Sequence, residues 1–277
     1  MKRRRLSELK RVLLVLLPFC MAFGVAYFAD TILLYWQESR ETMADQVSII
    51  EEKTSQESIF LEEQKRKGDK KEEKNAYLTF DDGPSEHTDK ILDILKEKGV
   101  KATFFVVGKE GKAARKRYKR ILEEGHSMGM HSYSHDYSYI YSSLEHYKED
   151  ILKLQDYLYE VTGQKVKLYR FPGGSSNSVS KIPIKDCISF LREEDIVYFD
   201  WNASSEDAVT ANADCSELNS NILQDALRFH NAVILMHDLS ACKGTVEGLS
   251  KLIDRLEAEG YEIKPITEDT TPVQHVK

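Results

Sequence analysis

From Ala76 onward the chain alternates between short runs of β-branched or aromatic residues and longer amphipathic runs. Strand candidates are Ala76–Phe80, Thr103–Val107, Ser127–Met130, Lys167–Phe171, Val197–Asp200, Ala232–Met236 and Ile263–Ile266. Helix candidates lie between them at Thr88–Lys98, Ala113–Glu124, Leu144–Val161, Ile188–Glu194, Leu218–Phe229 and Val246–Ala258. The first helix shows the logic. Ile91, Leu92, Ile94 and Leu95 share one face, and Gly99 follows as a stop. Strand, helix and strand in succession require parallel pairing with the helices outside. About seven such units predict an α/β fold with a closed or nearly closed barrel rather than an open sheet. In such barrels chemistry collects where strands end. Asp81, Asp82, His131, His135, Arg170, Asp200, His237 and Asp238 all fall at or just past strand ends.

This alternation covers only residues 75–277, and the charge divides at the same place. The 277 residues carry a formal charge of −7. Residues 1–74 hold 14 basic and 13 acidic residues, so 25 basic and 33 acidic residues remain in 75–277. An acidic domain excludes a nucleic-acid partner held through phosphates. The N-terminal part opens on Lys2-Arg3-Arg4-Arg5, followed by Lys10 and Arg11. Val12 to Ala29 then runs 18 residues without a charge, and apolar character continues to Trp36. Such a run predicts one transmembrane helix in residues 1–36. The basic cluster predicts a cytoplasmic N-terminus and an extracellular catalytic part. The alternative is a signal peptide cleaved after Gly24-Val25-Ala26. Residues 37–74, rich in Glu, Lys, Gln and Ser, cannot bury a core and read as a stalk. Of the cysteines, Cys20 lies in the apolar run, while Cys187, Cys215 and Cys242 are spaced like scattered thiols rather than metal ligands.

Three local patterns carry chemistry. Asp81-Asp82 closes the first strand, where two carboxylates repel unless a cation relieves them. Gly83-Pro84 makes the same stretch a good turn. His131-Ser132-Tyr133-Ser134-His135 places two imidazoles four apart, on one side of a helical turn, able to share a metal. Asp82, His131 and His135 together make a two-His, one-carboxylate site with open positions, suited to hydrolysis. His126 and His146 are not expected to be ligands.

TFDDGPS, HSYSH, RFPGG from Arg170 to Gly174, Asp200-Trp201, and LMHD from Leu235 to Asp238 resemble the five ordered motifs of the polysaccharide deacetylase (NodB-homology) family. KATFFVVG between the first two motifs resembles it too. The resemblance covers the last part of the chain, from about residue 75, and none of the anchor or stalk. It implies a distorted (β/α) barrel of about seven strands and removal of acetyl groups from a cell-wall polysaccharide, with N-acetylglucosamine of peptidoglycan as the expected sugar. It also implies one divalent metal, Zn²⁺ by ligand type, with Co²⁺, Mn²⁺ or Fe²⁺ as alternatives. Carried over by position, Asp81 resembles the base that activates the attacking water, and Asp82, His131 and His135 the metal ligands. Arg170 resembles the arginine that holds the base. His237 resembles the acid that protonates the leaving amine, and Asp200 the carboxylate that orients it. Trp201 and Leu235 would wall the acetyl methyl, and the backbone N–H near Gly173 would help hold the oxyanion.

The third motif departs from the family's Arg-Pro-Pro-Tyr-Gly. Phe171 and Gly173 replace the first Pro and the Tyr, so a side chain lining the groove is lost. Asn202 to Ala208 reads as a loop near the groove, without an assigned role. Tyr133, Tyr137, Tyr139 and Tyr141 cluster around the second motif as candidate sugar-stacking surfaces or packing residues. Alternatives to the leading reading are an O-acetyl (xylan-type) esterase, a deacetylase of chitin-like or exopolysaccharide substrates, and an inactive glycan-binding protein. The glycan and the membrane are the expected partners, with no protein partner.

Overall fold

In the computed structural model, residues 28, 31–40, 43, 52–56, 73–207 and 215–277 are described. The chain divides into two compact units, 1–71 and 72–277. In the first, residues 31–40 and 52–56 are helical, and Leu33, Leu34, Tyr35 and Trp36 are exposed. No helix among the described residues is long and apolar enough to cross a membrane. The expected span Val12–Ala29, apart from Phe28, and much of the stalk lie outside the described residues.

In the second unit, β1 (Lys74–Asp81) is the centre of a parallel sheet. Along one edge it pairs in full register with β7 (Asn231–His237). Its other edge is shared. The first residues pair with β8 (Tyr261–Ile263), and Thr79 to Asp81 pair with β2 (Thr103–Val107). Beyond β2 come β3 (Ser127–Ser132), β4 (Leu168–Tyr169) and β5 (Val197–Tyr198). On the far side β6 (Ala203–Ser204) pairs with β7. The strand order is β5-β4-β3-β2-β1-β7-β6, with β8 attached to β1.

The sheet curls into a half-barrel. Among the described residues β5 and β6 do not pair, so the expected closed or nearly closed barrel is open at this seam. Residues 273–276 run along it. Val273 O accepts from Asp200 N, Gln274 Nε2 donates to Tyr198 O, and Val276 N donates to Ser175 Oγ.

Among the described residues seven helices flank the strands: α1 (Thr88–Lys98), α2 (Lys112–Glu123), α3 (Tyr137–Ile140), α4 (Leu144–Thr162), α5 (Ile184–Glu193), α6 (Cys215–Ala226) and α7 (Lys243–Ala258). Strand periodicity assigns the two faces. Ala76, Leu78 and Phe80 join Phe104, Val106, Met128 and Met130 in the core under the helices. Full burial of a side chain of this kind contributes about 1.5–3 kcal/mol. On the inner side Tyr77, Phe105, Leu168, Phe199, Val233 and Ile266 form a smaller apolar plug. The two-residue β6 and the short α3 had no counterpart in the sequence reading. Cys187, Cys215 and Cys242 are free. Burial pushes the thiols of Cys187 and Cys242 up to about 12, consistent with inert packing residues.

Candidate active site

Parallel pairing of β1 with β7 sets Asp81 directly beside His237. Both side chains emerge where their strands end. Asp81 is buried and meets Arg170 Nη1 at 2.9 Å. Arg170 is fully buried and spends its other donors on Thr79 Oγ1 (2.6 Å), Phe199 O (3.0 Å) and Asp200 O (3.0 Å). Its guanidinium lies 4.2 Å from the Phe105 ring centre. A buried cation so fully engaged fixes the Asp81 carboxylate in one orientation.

Asp82 follows in left-handed backbone conformation, φ 68°, which turns its side chain away from that of Asp81. Its Oδ1 lies 3.5 Å from His131 Nε2 and 3.0 Å from His135 Nε2. Yet this buried oxygen makes no well-aligned hydrogen bond. All three ligand atoms lie within 4.8 Å of one another. An orphaned carboxylate oxygen facing two imidazole nitrogens fits a divalent cation. His131 Nδ1 is 2.8 Å from Arg170 O, a pure acceptor, so Nδ1 carries the proton and Nε2 keeps its lone pair for the centre. Burial would raise the Asp82 pKa, but His135, His131 and His237 together pull it far below the usual range. Burial lowers the pKa of His131, whereas the contact with Asp82 raises that of His135.

The histidine pair does not sit on a helical turn, as its spacing suggested. His131 belongs to β3, and His135 lies beyond its end at φ 50°. A buried carboxylate on α4 clamps the loop between them. Asp150 Oδ2 accepts from Ser132 Oγ (2.7 Å) and Tyr133 N (2.8 Å), and Oδ1 from Ser134 N (2.9 Å). Ser132 Oγ in turn accepts from His135 N (2.8 Å).

The carboxylate expected to orient His237 is a different one. Asp200 is fully buried, but it accepts from Ser175 N (2.8 Å), Ser175 Oγ (2.5 Å) and His275 N (2.8 Å). It ties the Arg170–Gly174 loop to the segment at the seam. Asp207 meets His237 instead, taking Nδ1 at 2.7 Å and the backbone N at 2.9 Å, with Thr245 Oγ1 at 2.6 Å. The physical reason is β6. Its pairing with β7, continued by the bond from Ser205 N to Leu235 O, carries the chain on to Asp207 beside His237. Burial would lower the His237 pKa, but Asp207, then Asp81 and Asp82, raise it. The signal in the sequence was the Glu206-Asp207 pair just past a two-residue strand too short to register as one.

Asp238, next in the chain, locks the first motif to the last. It is fully buried and accepts from Ser85 and Thr88. A Cβ at Gly83 would lie 2.4 Å from its Oδ2, so only glycine permits this approach. Gly173 has φ 76°. The adjacent Gly174 N–H closes a turn on Phe171 O, which leaves the Gly173 N–H outside that turn. Trp201 packs over Gly174, where a Cβ would come within 2.9 Å of the indole. Leu235 is buried on β7, two residues before His237 and on the same face of the strand.

Comparison with known proteins agrees with this geometry. A family model described as polysaccharide deacetylase matches residues 68–186. YheN of Bacillus subtilis is 34% identical over 207 residues, covering 73% of this chain and 70% of that protein. A peptidoglycan-N-acetylglucosamine deacetylase of Bacillus cereus is 32% identical over 204 residues, covering 72% of each. The catalytic domain of a peptidoglycan N-acetylglucosamine deacetylase from Eubacterium rectale superposes with a TM-score of 0.70 at 32% identity, over 73% of this chain and 93% of that one. A curled parallel half-barrel, the motif residues at its strand ends and these relatives together establish that the chain belongs to the polysaccharide deacetylase family.

Proposed function

We propose that the protein is a metal-dependent N-deacetylase of cell-wall glycan, with N-acetylglucosamine of peptidoglycan as the acetylated sugar. One observation carries the reading: Asp82, His131 and His135 converge beside a carboxylate held by Arg170 and a histidine held by Asp207. The names borne by the Bacillus cereus and Eubacterium rectale relatives support the choice of glycan. When bound, a divalent ion at the Asp82 centre supplies a lowered water pKa and a polarised acetyl carbonyl. Zn²⁺ suits the ligand set best.

The chain's own residues do the rest. Asp81, fixed by Arg170, takes a proton from the attacking water. The Gly173 N–H faces the oxygen on which charge develops. Protonated His237, held at Nδ1 by Asp207, gives its Nε2 proton to the sugar nitrogen as the amide C–N bond breaks and acetate leaves. Trp201 and Leu235 wall the acetyl methyl. The basic cluster and the apolar run of residues 2–36 support a membrane anchor with the domain outside the cell. Protease accessibility of the domain on intact cells tests that placement.

The activity test is acetate release from peptidoglycan and from a chitin oligomer, with and without chelator. Release that chelator abolishes and Zn²⁺ restores is expected. No release, or release indifferent to chelator, refutes the reading.

A further inference from the structure

Four tyrosines surround the HSYSH motif, and three have fixed occupations. Tyr133 donates to Glu110 and lies under the Lys153 ammonium. Tyr139 donates to Glu149 and stacks on His146. Tyr141 is buried and donates to Pro172 O. Tyr137 differs. It is half-buried, and its hydroxyl has no hydrogen-bond partner among the described residues. Its ring stands edge-on to His135, with centroids 5.5 Å apart.

The ring also packs against Tyr141, with centroids 6.0 Å apart, and borders Gly173. A Cβ placed at Gly173 would lie 3.3 Å from Tyr137 Cε1 and 3.5 Å from its hydroxyl oxygen. Tyr137 and a side chain at position 173 therefore compete for one space, and the glycine cedes it. Asp136 secures the arrangement, since its carboxylate caps α3 by accepting from Ser138 N and Tyr139 N. An unpaired phenol on a capped turn, between a candidate ligand and a candidate oxyanion donor, is a fixed donor facing the groove.

We propose that Tyr137 is a substrate-positioning residue that holds the acetylated sugar over the Asp82–His131–His135 centre by donating its hydroxyl to that sugar. The inference rests on the proposed deacetylase function and adds a residue that sets substrate recognition. It predicts that the wall of the groove beside Gly173 comes from the histidine loop rather than from the Arg170–Gly174 loop.

The test uses the full chain loaded with Zn²⁺ and a chitin oligomer as probe. Tyr137→Phe removes the donor and keeps the ring. It is expected to raise KM roughly 3- to 10-fold, with kcat within about 2-fold, as loss of one neutral hydrogen bond in binding requires. The ratio of kcat/KM on the oligomer to kcat/KM on a small aryl acetate falls with it. Zn²⁺ affinity measured by calorimetry stays at the wild-type value, which separates this role from disruption of the centre. Tyr139→Phe, whose hydroxyl is engaged elsewhere, leaves KM unchanged. Tyr137→Phe with wild-type KM overturns the proposal, as does a loss confined to kcat or accompanied by weakened Zn²⁺ binding. Wild-type protein that neither binds nor deacetylates the oligomer overturns the deacetylase reading first, and this inference with it.

Discussion

Replacing Asp207 by Asn removes the negative partner of His237 at nearly constant side-chain size. Asp207 is buried and accepts from His237 Nδ1 at 2.7 Å, His237 N at 2.9 Å and Thr245 Oγ1 at 2.6 Å. An amide oxygen can keep part of this set, but not the charge-assisted bond to a protonated imidazole. Such a bond contributes about 1.5–3 kcal/mol. In its proposed role as proton donor His237 needs this bond to stay protonated, so its loss is expected to cost about 10- to 150-fold in kcat/KM. The sign of the pH effect follows from the balance at His237. Burial works to lower its pKa, and Asp207, with Asp81 and Asp82 behind it, more than offsets burial. Without Asp207 its largest raising contributions are gone and the pKa falls. The basic limb of the kcat/KM profile therefore moves to lower pH, and the deficit grows with pH. Acetate release from a chitin oligomer between about pH 5.5 and 9 measures this. An Asp207→Asn profile that overlays the wild type refutes the assignment. So does a matching displacement of the basic limb in Asp200→Asn, whose carboxylate is occupied by Ser175 and His275.

Other substitutions separate binding, positioning and folding. Asp150→Asn weakens the clamp on the His131–His135 loop and lowers Zn²⁺ affinity about 10- to 100-fold by calorimetry; unchanged affinity refutes that role. Arg170→Met leaves Asp81 buried without its cation and destabilises the domain by about 3–5 kcal/mol, read as a lower urea midpoint. His126 is buried, with Nδ1 accepting from Ala102 N and Nε2 unpartnered. Burial, then Lys101, lowers its pKa from 6.5 to about 4. The unfolded chain therefore takes this proton first as pH falls. His126 costs the fold up to ~3 kcal/mol on acidification through this window, with no effect above it. Thermal melts of metal-free His126→Gln should accordingly depend less on pH between 6.5 and about 4 than those of the wild type. Equal slopes refute it.

What the sequence disclosed about the fold followed from element length. β1 and β7 are long, near-continuous apolar runs that end on ionisable residues, so the strands and the residues at their tips were readable in advance. The helices behind them were readable from their apolar faces, with ends misjudged by a few residues, as at α6 and α7. β4 and β5 keep two residues each of the strands expected at Lys167–Phe171 and Val197–Asp200, whereas the two-residue β6 was not expected. A two-residue strand has no periodicity. Its existence is decided by what a neighbouring strand offers, which is a tertiary fact. The same limit applied to the histidine pair, whose spacing fits a helical turn but whose conformation is set by Asp150, 15 residues beyond His135 on another element.

The candidate site divides along that line. Asp81, Asp82, His131 and Arg170 stand on or immediately after β1, β3 and β4, and each has a buried partner at the end of another of these strands. Their positions follow from a pairing that the hydrophobic pattern dictates. The carboxylate behind His237 sits instead past the edge strand β6, at the open seam of the half-barrel. Nothing in the core fixes how many residues the chain spends there before it turns back. A carboxylate can therefore reach the same imidazole from different offsets after Trp201. That explains why Asp200, adjacent to the tryptophan in a recognisable motif, attracted the assignment while Asp207 makes the contact. The sheet therefore fixes Asp81, His131 and His237 directly, whereas His135, Asp207 and Tyr137 stand beyond strand ends and take their places from side-chain contacts such as those of Asp150 and Asp136.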